Sequence, residues 1–377
     1  MGVVRRVRRI ALVSALVALI PALFSYLHTI AEPSNSSVGI RTVEWLRDHG
    51  AAGLVSKVES VYYELTAPAK GGPALRALPR VGYGRGQGEQ GALARARAGA
   101  RPAPSVAYRP ARVAALLQPA LPGEGVWHAA RRSEANPRVL LTTLRNQAEY
   151  PRVVVGLAWI DATRTTVTLN PGRQEPSVEL PRGTMDVSPA RRAGLLATFN
   201  SGFKLGDSGG GVALSGHTYG AMRNGQATLV GYSDGRVDVV DWRSGPVAPH
   251  WVTFARQNLP LIVNEGHVNP QLNDSAEWGA TLGNAVLVWR SAIGVDRHGN
   301  LIYAAGNDQT VRSLAATLLH AGAVRGMELD INSYWVSFIT YGASDAHQPA
   351  NLLPEMNRSA FRYLEPDDRD FFAVYAR

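Results

Sequence analysis

Residues Val324 to Trp335 read V-R-G-M-E-L-D-I-N-S-Y-W and place two carboxylates inside an apolar strand pattern. The apolar residues predict an interior β-strand. Glu328, Asp330 and Asn332 would share one face of it, because alternate residues of a strand point the same way. Three polar groups at the end of a buried strand can form a site. They can equally cap a turn or pair with arginines.

Three earlier segments also predict short apolar strands that end in polar residues or a turn. They read A-T-F-N-S-G-F from Ala197, L-I-V-N-E-G-H from Leu261 and W-R-S-A-I-G-V from Trp289. The third continues through a turn at residues 296–300 into another strand at 301–304. A helix is predicted from Val311 to Ala321, because its apolar residues share one face and Gly322 ends it. This helix leads directly into the carboxylate strand.

The order and spacing of these segments resemble the phosphodiester glycosidase family over roughly residues 153 to 341. The hairpin that begins at Arg290 matches that family's R-[ST]-A-I-G-x-D-x-x-G pattern. Asn200 opens a turn similar to the family's N-G-x-F, and Asp330 stands at the aspartate of its L-D-G-G-G-S strand end. The resemblance implies an α+β fold and an enzyme that removes a sugar from a phosphodiester.

The chain departs from this pattern after Asp330, where Ile331, Asn332 and Ser333 occupy the positions of the family's glycines. Consecutive glycines let backbone N–H groups turn toward an anion. Here, an anion would instead be bound by the side chains of Asn332 and Ser333 together with arginines. We therefore predict Asn332 and Ser333 as substrate-binding residues.

The predicted chemistry requires a carboxylate beside the anomeric carbon, as nucleophile or as base for water. Asp330 is the first candidate because it matches the family aspartate and ends a strand. Glu328 is the second candidate and Glu265 the third. For Glu265 an alternative remains, in which it only shapes a turn with Gly266.

Two further residues are predicted to bind substrate. The planar guanidinium of Arg290 fits two oxygens of a phosphate, and the alternative is a salt bridge to a neighbouring carboxylate. Asn200 is a donor to a sugar hydroxyl or to phosphate, and its alternative is an Asx-turn that holds Ser201 and Gly202. The sequence leaves both roles open for each residue.

The first part of the chain predicts a signal anchor over residues 1–31. Arginines at positions 5, 6, 8 and 9 precede an apolar run from Ile10 to about Ala31. A run of about twenty apolar residues can span a bilayer, and the arginines would keep the N-terminus in the cytoplasm. A cleaved signal peptide is the alternative. Both place the remainder outside the cytoplasm, anchored in the cell envelope or secreted.

Beyond the anchor, composition predicts three regions. Residues 32–66 have the spacing of two short amphipathic helices around Gly50 and Gly53, which could pack on the domain, oligomerise or form a stalk. Residues 67–110 are rich in Gly, Pro, Ala and Arg, which predicts a disordered linker. Residues 111–377 contain many hairpin signals and one strong helix. They predict an α+β domain with a mostly antiparallel or mixed sheet.

Composition also excludes several classes of function. The 377-residue chain has no cysteine, so thiol catalysis and thiolate metal sites are excluded. Of its net charge of +9, the N-terminal arginines carry +4 and residues 76–112 carry +7, which leaves −2 elsewhere. A nearly neutral domain is a poor partner for nucleic acid. Ca²⁺ or Mg²⁺ could bind Asp, Glu and Asn clusters, but no loop motif is present, so we predict neither a metal nor a cofactor.

Together these observations predict a membrane-anchored hydrolase that acts on a sugar phosphate or related envelope glycan. A carbohydrate-binding protein without catalysis, on the same fold, is the alternative that the altered loop favours. A structural envelope protein that works through its stalk and linker is a third interpretation.

Overall fold

The structure of the protein is a computed structural model that describes residues 2–73, 75–79, 81, 108–131, 136–273, 278–279, 286–342 and 348–377. The α-helices are α1 Gly2–Ala31, α2 Val38–Leu46, α3 Ala52–Thr66, α4 Leu205–Ser208 and α5 Val311–His320. A π-helical turn at Arg47–Ala51 joins α2 to α3, and 3₁₀ turns lie at Pro189–Gly194 and Arg362–Leu364.

The described residues otherwise form β-strands. The strands are β1 His128–Ala129, β2 Val139–Arg145, β3 Val154–Ile160, β4 Thr165–Asn170, β5 Leu195–Asn200, β6 Val212–Leu214, β7 His217–Gly220, β8 Ala227–Tyr232, β9 Val237–Asp241, β10 Val252–Gln257, β11 Val263–Asn264, β12 His267–Val268, β13 Val288–Asp296, β14 Leu301–Gln309, β15 Ala323–Glu328, β16 Phe338–Tyr341, β17 Pro349–Asn351 and β18 Phe371–Ala376.

These strands build three sheets. The largest has the order β1-β2-β3-β14-β13-β15-β11-β12, and two five-stranded sheets have the orders β7-β6-β10-β8-β9 and β17-β16-β5-β18-β4. The strand pairs that we describe are antiparallel, for example β13 with β14 and with β15. A sheet-rich α+β fold with few helices and antiparallel sheets is therefore confirmed.

The β13–β14 hairpin forms where the sequence predicts it and is the centre of the largest sheet. Its turn is held by Asp296, whose Oδ1 accepts hydrogen bonds from the backbone N–H groups of His298 (2.8 Å) and Asn300 (2.9 Å). Gly299 has φ +82°, a conformation that glycine adopts without the steric cost of a Cβ. The helix that follows, α5, begins with a capping box between Thr310 and Ser313.

Central strands of the largest sheet are buried on both faces, which explains why apolar residues dominate both sides of them. On one face, Leu314 and Leu318 of α5 pack in a core with Ala292. On the other face, Met327 and Leu329 belong to the main core shared with the five-stranded sheets. Glu328, the last residue of β15, alternates with Met327 and Leu329 and pairs with Ala292, and therefore lies on the same side of the sheet as α5.

Helix α1 begins at Gly2 and continues to Ala31, with Pro21 inside it. Within the described part of the chain, we find no helix that combines the length and the apolar character needed to cross a bilayer. The predicted anchor therefore gains no support from the structure.

The region after α1 packs on the domain, which is one of the three interpretations that its sequence allowed. Ser36 Oγ donates a hydrogen bond to Asp368 (2.6 Å), and Asn35 Nδ2 donates one to Asp367 (2.9 Å). The predicted break between two helices lies at His49 and Gly50, which leave helical geometry. The segment from Ser34 to Thr66 is called the N-terminal segment below.

The predicted disordered linker spans residues 67–110, and its central part, residues 82–107, lies outside the described residues. The described residues at its start make contact with the domain. The backbone N–H of Gly71 donates a hydrogen bond to the carbonyl of Glu149 (2.8 Å).

Candidate active site

Asp330 lies two residues beyond the end of β15, in a loop that is fixed by hydrogen bonds. The Ser291 hydroxyl accepts a hydrogen bond from the Asp330 backbone N–H (3.1 Å), and the Ser291 N–H donates to the Asp330 carbonyl (2.9 Å). The Asp330 carboxylate accepts the N–H of Asn332 at Oδ1 (2.9 Å). The backbone is thus clamped to β13, and the carboxylate has a defined orientation.

The second oxygen of Asp330 contacts Arg369, a residue in the loop before β18. Arg369 Nη2 lies 3.2 Å from Asp330 Oδ2 and 3.1 Å from the carbonyl of Gly202. Burial raises the pKa of Asp330 to about 6, although the charge of Arg369 opposes this change. The carboxyl group is therefore poised to change charge near neutral pH.

Arg369 has unused hydrogen-bonding capacity. Its Nε is buried and has no hydrogen-bond partner among the described residues. The guanidinium carbon lies 5.1 Å from the centre of the Trp335 ring, within range of a cation–π interaction. A buried donor without a partner costs free energy, so Arg369 is well suited to receive an acceptor from a ligand.

Asp330 and Arg369 line a cavity of about 490 Å³, a size typical of small-molecule sites. The domain contributes one part of its wall and the N-terminal segment the other. The lining residues are Glu44, Arg47, Asp48, Ala52, Ser56, Phe203, Lys204, Asp207, Leu259, Gly279, Asp330, Ile331, Asn332, Trp335 and Arg369.

The residues that replace the family's glycines form an ordered turn. Ile331 packs with Phe203 and Val288 in a small apolar cluster. Asn332 lines the cavity, and its Oδ1 accepts the N–H of Tyr334 (2.9 Å). The carbonyl of Ser333 accepts a hydrogen bond from Asn357 (3.1 Å). The structure thus brings Asn332 to the cavity, whereas Ser333 is not among the lining residues described.

Arg290 and Glu328 form a buried ion pair with each other. Arg290 Nη1 lies 2.7 Å from Glu328 Oε1, and Arg290 Nε donates to the carbonyl of Gln309 (2.9 Å). Burial raises the pKa of Glu328, and Arg290 opposes the change. Neither residue lines the cavity. The salt-bridge alternative for Arg290 is what the structure shows, and its guanidinium is already engaged.

Asn200 is also engaged within the domain. Its Oδ1 accepts hydrogen bonds from the Tyr303 hydroxyl (2.9 Å) and the Ser337 N–H (3.0 Å), and its Nδ2 donates to Ser291 (3.0 Å). Asn200 is 3 % exposed and joins β5 to β14 and β13. It is connected to the candidate site through Ser291, which holds the backbone of Asp330.

Glu265 is not brought to the other candidates. It is exposed and has φ +49° in the tight turn between β11 and β12. The next residue, Gly266, donates its N–H to the Val324 carbonyl at the start of β15 (2.9 Å). Asp330 lies six residues further along the chain, roughly 20 Å away at about 3.3 Å per residue. The turn-forming alternative for Glu265 therefore fits its position.

The sequence predicted only part of the site. Asp330 was predicted from its family match and its strand-end position, whereas Arg369 and Lys204 were not predicted as site residues. The signal for Arg369 was the charged stretch E-P-D-D-R-D before the apolar strand β18. Among the described residues, no three His, Asp or Glu side chains are grouped as metal ligands would be.

Comparisons with known proteins add a weak likeness of fold. No family model and no curated protein matches the chain. The catalytic domain of zebrafish N-acetylglucosamine-1-phosphodiester alpha-N-acetylglucosaminidase, auto-inhibited by its pro-peptide, is 15 % identical with a TM-score of 0.41, over 67 % of this chain and 87 % of that one. A hypothetical protein from Synechocystis is 14 % identical with a TM-score of 0.39, over 64 % and 62 %. These likenesses assign the chain to no family.

Proposed function

We propose that this protein is a glycosidase-like hydrolase that removes a sugar from a phosphodiester-linked or related glycan. The observation that supports it most strongly is the juxtaposition of Asp330 and Arg369 at the wall of one cavity. A carboxylate and a guanidinium side by side match the two charges of the reaction. The reacting carbon becomes positive while the departing phosphate carries negative charge.

In this proposal, Asp330 acts at the anomeric carbon, as nucleophile or as the base that activates water. Both roles require the ionised carboxylate. The bond from the anomeric carbon to the phosphate oxygen breaks, and the phosphate leaves with the electron pair. Phosphate is a good leaving group, so one carboxylate is sufficient without a strong general acid. This suits a site in which Glu328 is paired with Arg290 away from the cavity.

Arg369 is proposed to stabilise the departing phosphate. Its Nε has no partner among the described residues, so a phosphate oxygen can accept that hydrogen bond. This assigns to Arg369 the role that the sequence suggested for Arg290. Asn332 is retained as a donor or acceptor for substrate because it lines the same cavity.

The proposal is tested by incubating the purified protein with a panel of sugar-1-phosphodiesters and neutral aryl glycosides. Release of free sugar from a phosphodiester, measured by chromatography, is the expected result. Binding of a glycan without release from any substrate would support the carbohydrate-binding alternative. If the protein neither binds nor hydrolyses any compound of the panel, the hydrolase proposal and the carbohydrate-binding alternative are both contradicted.

The pH dependence of hydrolysis is expected to show the pKa of Asp330. Burial raises this pKa to about 6, so the active carboxylate form is lost as the pH falls through that value. A profile of kcat/KM between pH 4 and 8 should therefore have an acid limb near 6. An acid limb near 4, the value of an ordinary aspartate, would contradict this assignment.

Arg369→Lys is expected to change KM for charged substrates more than KM for neutral substrates. Lysine keeps the positive charge beside Asp330 but loses the planar fork. We expect KM for sugar-1-phosphodiesters to rise about tenfold, since a charge-assisted hydrogen bond contributes about 1.5–3 kcal/mol. KM for neutral glycosides should change by less than about twofold on the same reasoning.

The matched control is Arg173→Lys. Arg173 pairs with Asp368 (3.3 Å) and does not line the cavity, so this variant should leave both KM values unchanged. An equal rise of KM for charged and neutral substrates in Arg369→Lys would show that Arg369 positions Asp330 without contacting phosphate.

A further inference from the structure

Lys204 is a second cation at the same cavity, and its partner comes from the N-terminal segment. Lys204 immediately precedes α4, and its side chain lines the cavity together with Arg369 and Asp330. Its Nζ forms a salt bridge with Glu44 of α2 and lies 4.0 Å from Asp48. A carboxylate of the chain itself therefore lies at the wall of the cavity.

Glu44 is held there as a charged group. Its carboxylate contacts Lys204 on the domain and Arg47 within the segment (3.4 Å). Burial opposes ionisation of Glu44, but Lys204 outweighs it and lowers the pKa, and Arg369 acts in the same direction. The electrostatic influence of both domain cations thus reaches the position that Glu44 occupies.

The helix that carries Glu44 is attached to the domain without a packed apolar core. None of the nine described residues of α2 is buried. The segment is held by polar contacts of Ser34, Asn35 and Ser36 with the loop before β18 and by the Glu44–Lys204 pair. Tyr63 of α3 also packs against the apolar cluster that contains Phe203 and Ile331. The Lys204 and Glu44 side chains keep 26 % and 18 % of their surface exposed, so a dissolved anion can reach the pair and exchange with Glu44.

We propose that Lys204 and Arg369 form a binding subsite for a phosphate group, and that the Glu44 carboxylate is its internal occupant. The buried, unpartnered Nε of Arg369 supplies a donor that Glu44 leaves unused. The ammonium of Lys204 supplies a flexible point charge at the cavity wall. This inference rests on the proposed function for the choice of phosphate as ligand, but the binding it describes requires no hydrolysis.

A tethered occupant weakens the apparent affinity for a free ligand, because its effective concentration is in the millimolar range for short links. Glu44→Gln removes the charge of the occupant and keeps its shape. We expect inorganic phosphate to bind about tenfold more tightly to this variant, which corresponds to about 1.4 kcal/mol. The full chain is titrated by calorimetry at constant ionic strength, and thermal unfolding confirms that each variant is folded.

The matched control is Glu59→Gln. Glu59 lies in the same segment and pairs with Arg47, but it does not contact Lys204 or line the cavity. This variant should leave the phosphate affinity within about twofold of the wild type. In the double variant Glu44→Gln/Lys204→Met, the tenfold gain in phosphate affinity should be lost, because the ammonium group that Glu44→Gln leaves unpaired is removed.

Equal phosphate affinities in wild type and Glu44→Gln would overturn the inference, as would an equal gain in Glu59→Gln. Absence of phosphate binding in folded Glu44→Gln would also overturn it. If phosphate binds with the expected pattern but no phosphodiester is hydrolysed, the subsite stands and the proposed function fails. If phosphodiesters are hydrolysed but Glu44→Gln does not bind phosphate more tightly, the proposed function stands and the subsite fails.

Discussion

Asp330→Asn is expected to reduce the rate of phosphodiester hydrolysis by about a thousandfold or more, because loss of a catalytic group commonly has effects of this size or larger. Asparagine has nearly the same shape and keeps an oxygen that can accept the N–H of Asn332. The variant loses the negatively charged carboxylate that would act as the nucleophile or as the base for water. Sugar release under substrate saturation, measured as kcat, checks the prediction.

Binding should survive the same substitution, because the lost interaction belongs to the transition state. The affinity of Asp330→Asn for a phosphodiester substrate should remain within about fivefold of the wild type. A wild-type kcat in a variant shown to be folded would remove Asp330 from the reaction. A large loss of both kcat and thermal stability would instead make Asp330 a structural partner of Arg369.

Arg290→Met is expected to lower the free energy of unfolding by about 3–5 kcal/mol, because it leaves the buried carboxylate of Glu328 without its cation. The Glu328 side chain is 0 % exposed, so water cannot replace Arg290. Urea denaturation at pH 7 measures the loss. If Arg290 instead bound substrate, the same substitution would change KM and leave the free energy of unfolding largely unchanged.

The double variant Arg290→Met/Glu328→Met is the control for this prediction. Removal of both charges should regain about 2 kcal/mol or more, because a buried ion pair replaced by apolar groups is often neutral for stability. The loss in Arg290→Met should also be smaller at pH 5 than at pH 8. An unpaired buried carboxylate has a raised pKa, so the stability that protonation restores is present at low pH and lost as the pH rises. A loss below about 1 kcal/mol at pH 7 would show that the pair is not isolated from water.

The strands around the site were predictable because their signals are local. The turn of the β13–β14 hairpin is set by Asp296 and Gly299, which lie within four residues of each other. The apolar alternation of β15 indicated that Met327 and Leu329 enter the core, and both are buried. Likewise, Thr310 and Ser313 mark the start of α5 through a bond that spans only three residues.

The roles of the polar residues were less predictable because they depend on distant partners. Arg290 was expected to bind phosphate, but Glu328, 38 residues away, pairs with it. Asn200 was expected to bind substrate, but Tyr303, 103 residues away, bonds its side chain. A polar residue at a strand end looks the same in the sequence whether it faces a cavity or a buried partner.

By itself, the sequence determined the α+β class, the hairpin at the centre of the largest sheet and the place of Asp330 at a strand end. These features follow from the apolar period of two, from turn residues and from helix caps, which act between neighbours in the chain. Only the tertiary structure decided that Asp330 meets Arg369 and that Glu44 of the N-terminal segment contacts Lys204. The residues of each pair are 39 and 160 positions apart, and only the docking of separate segments brings their charges within contact distance.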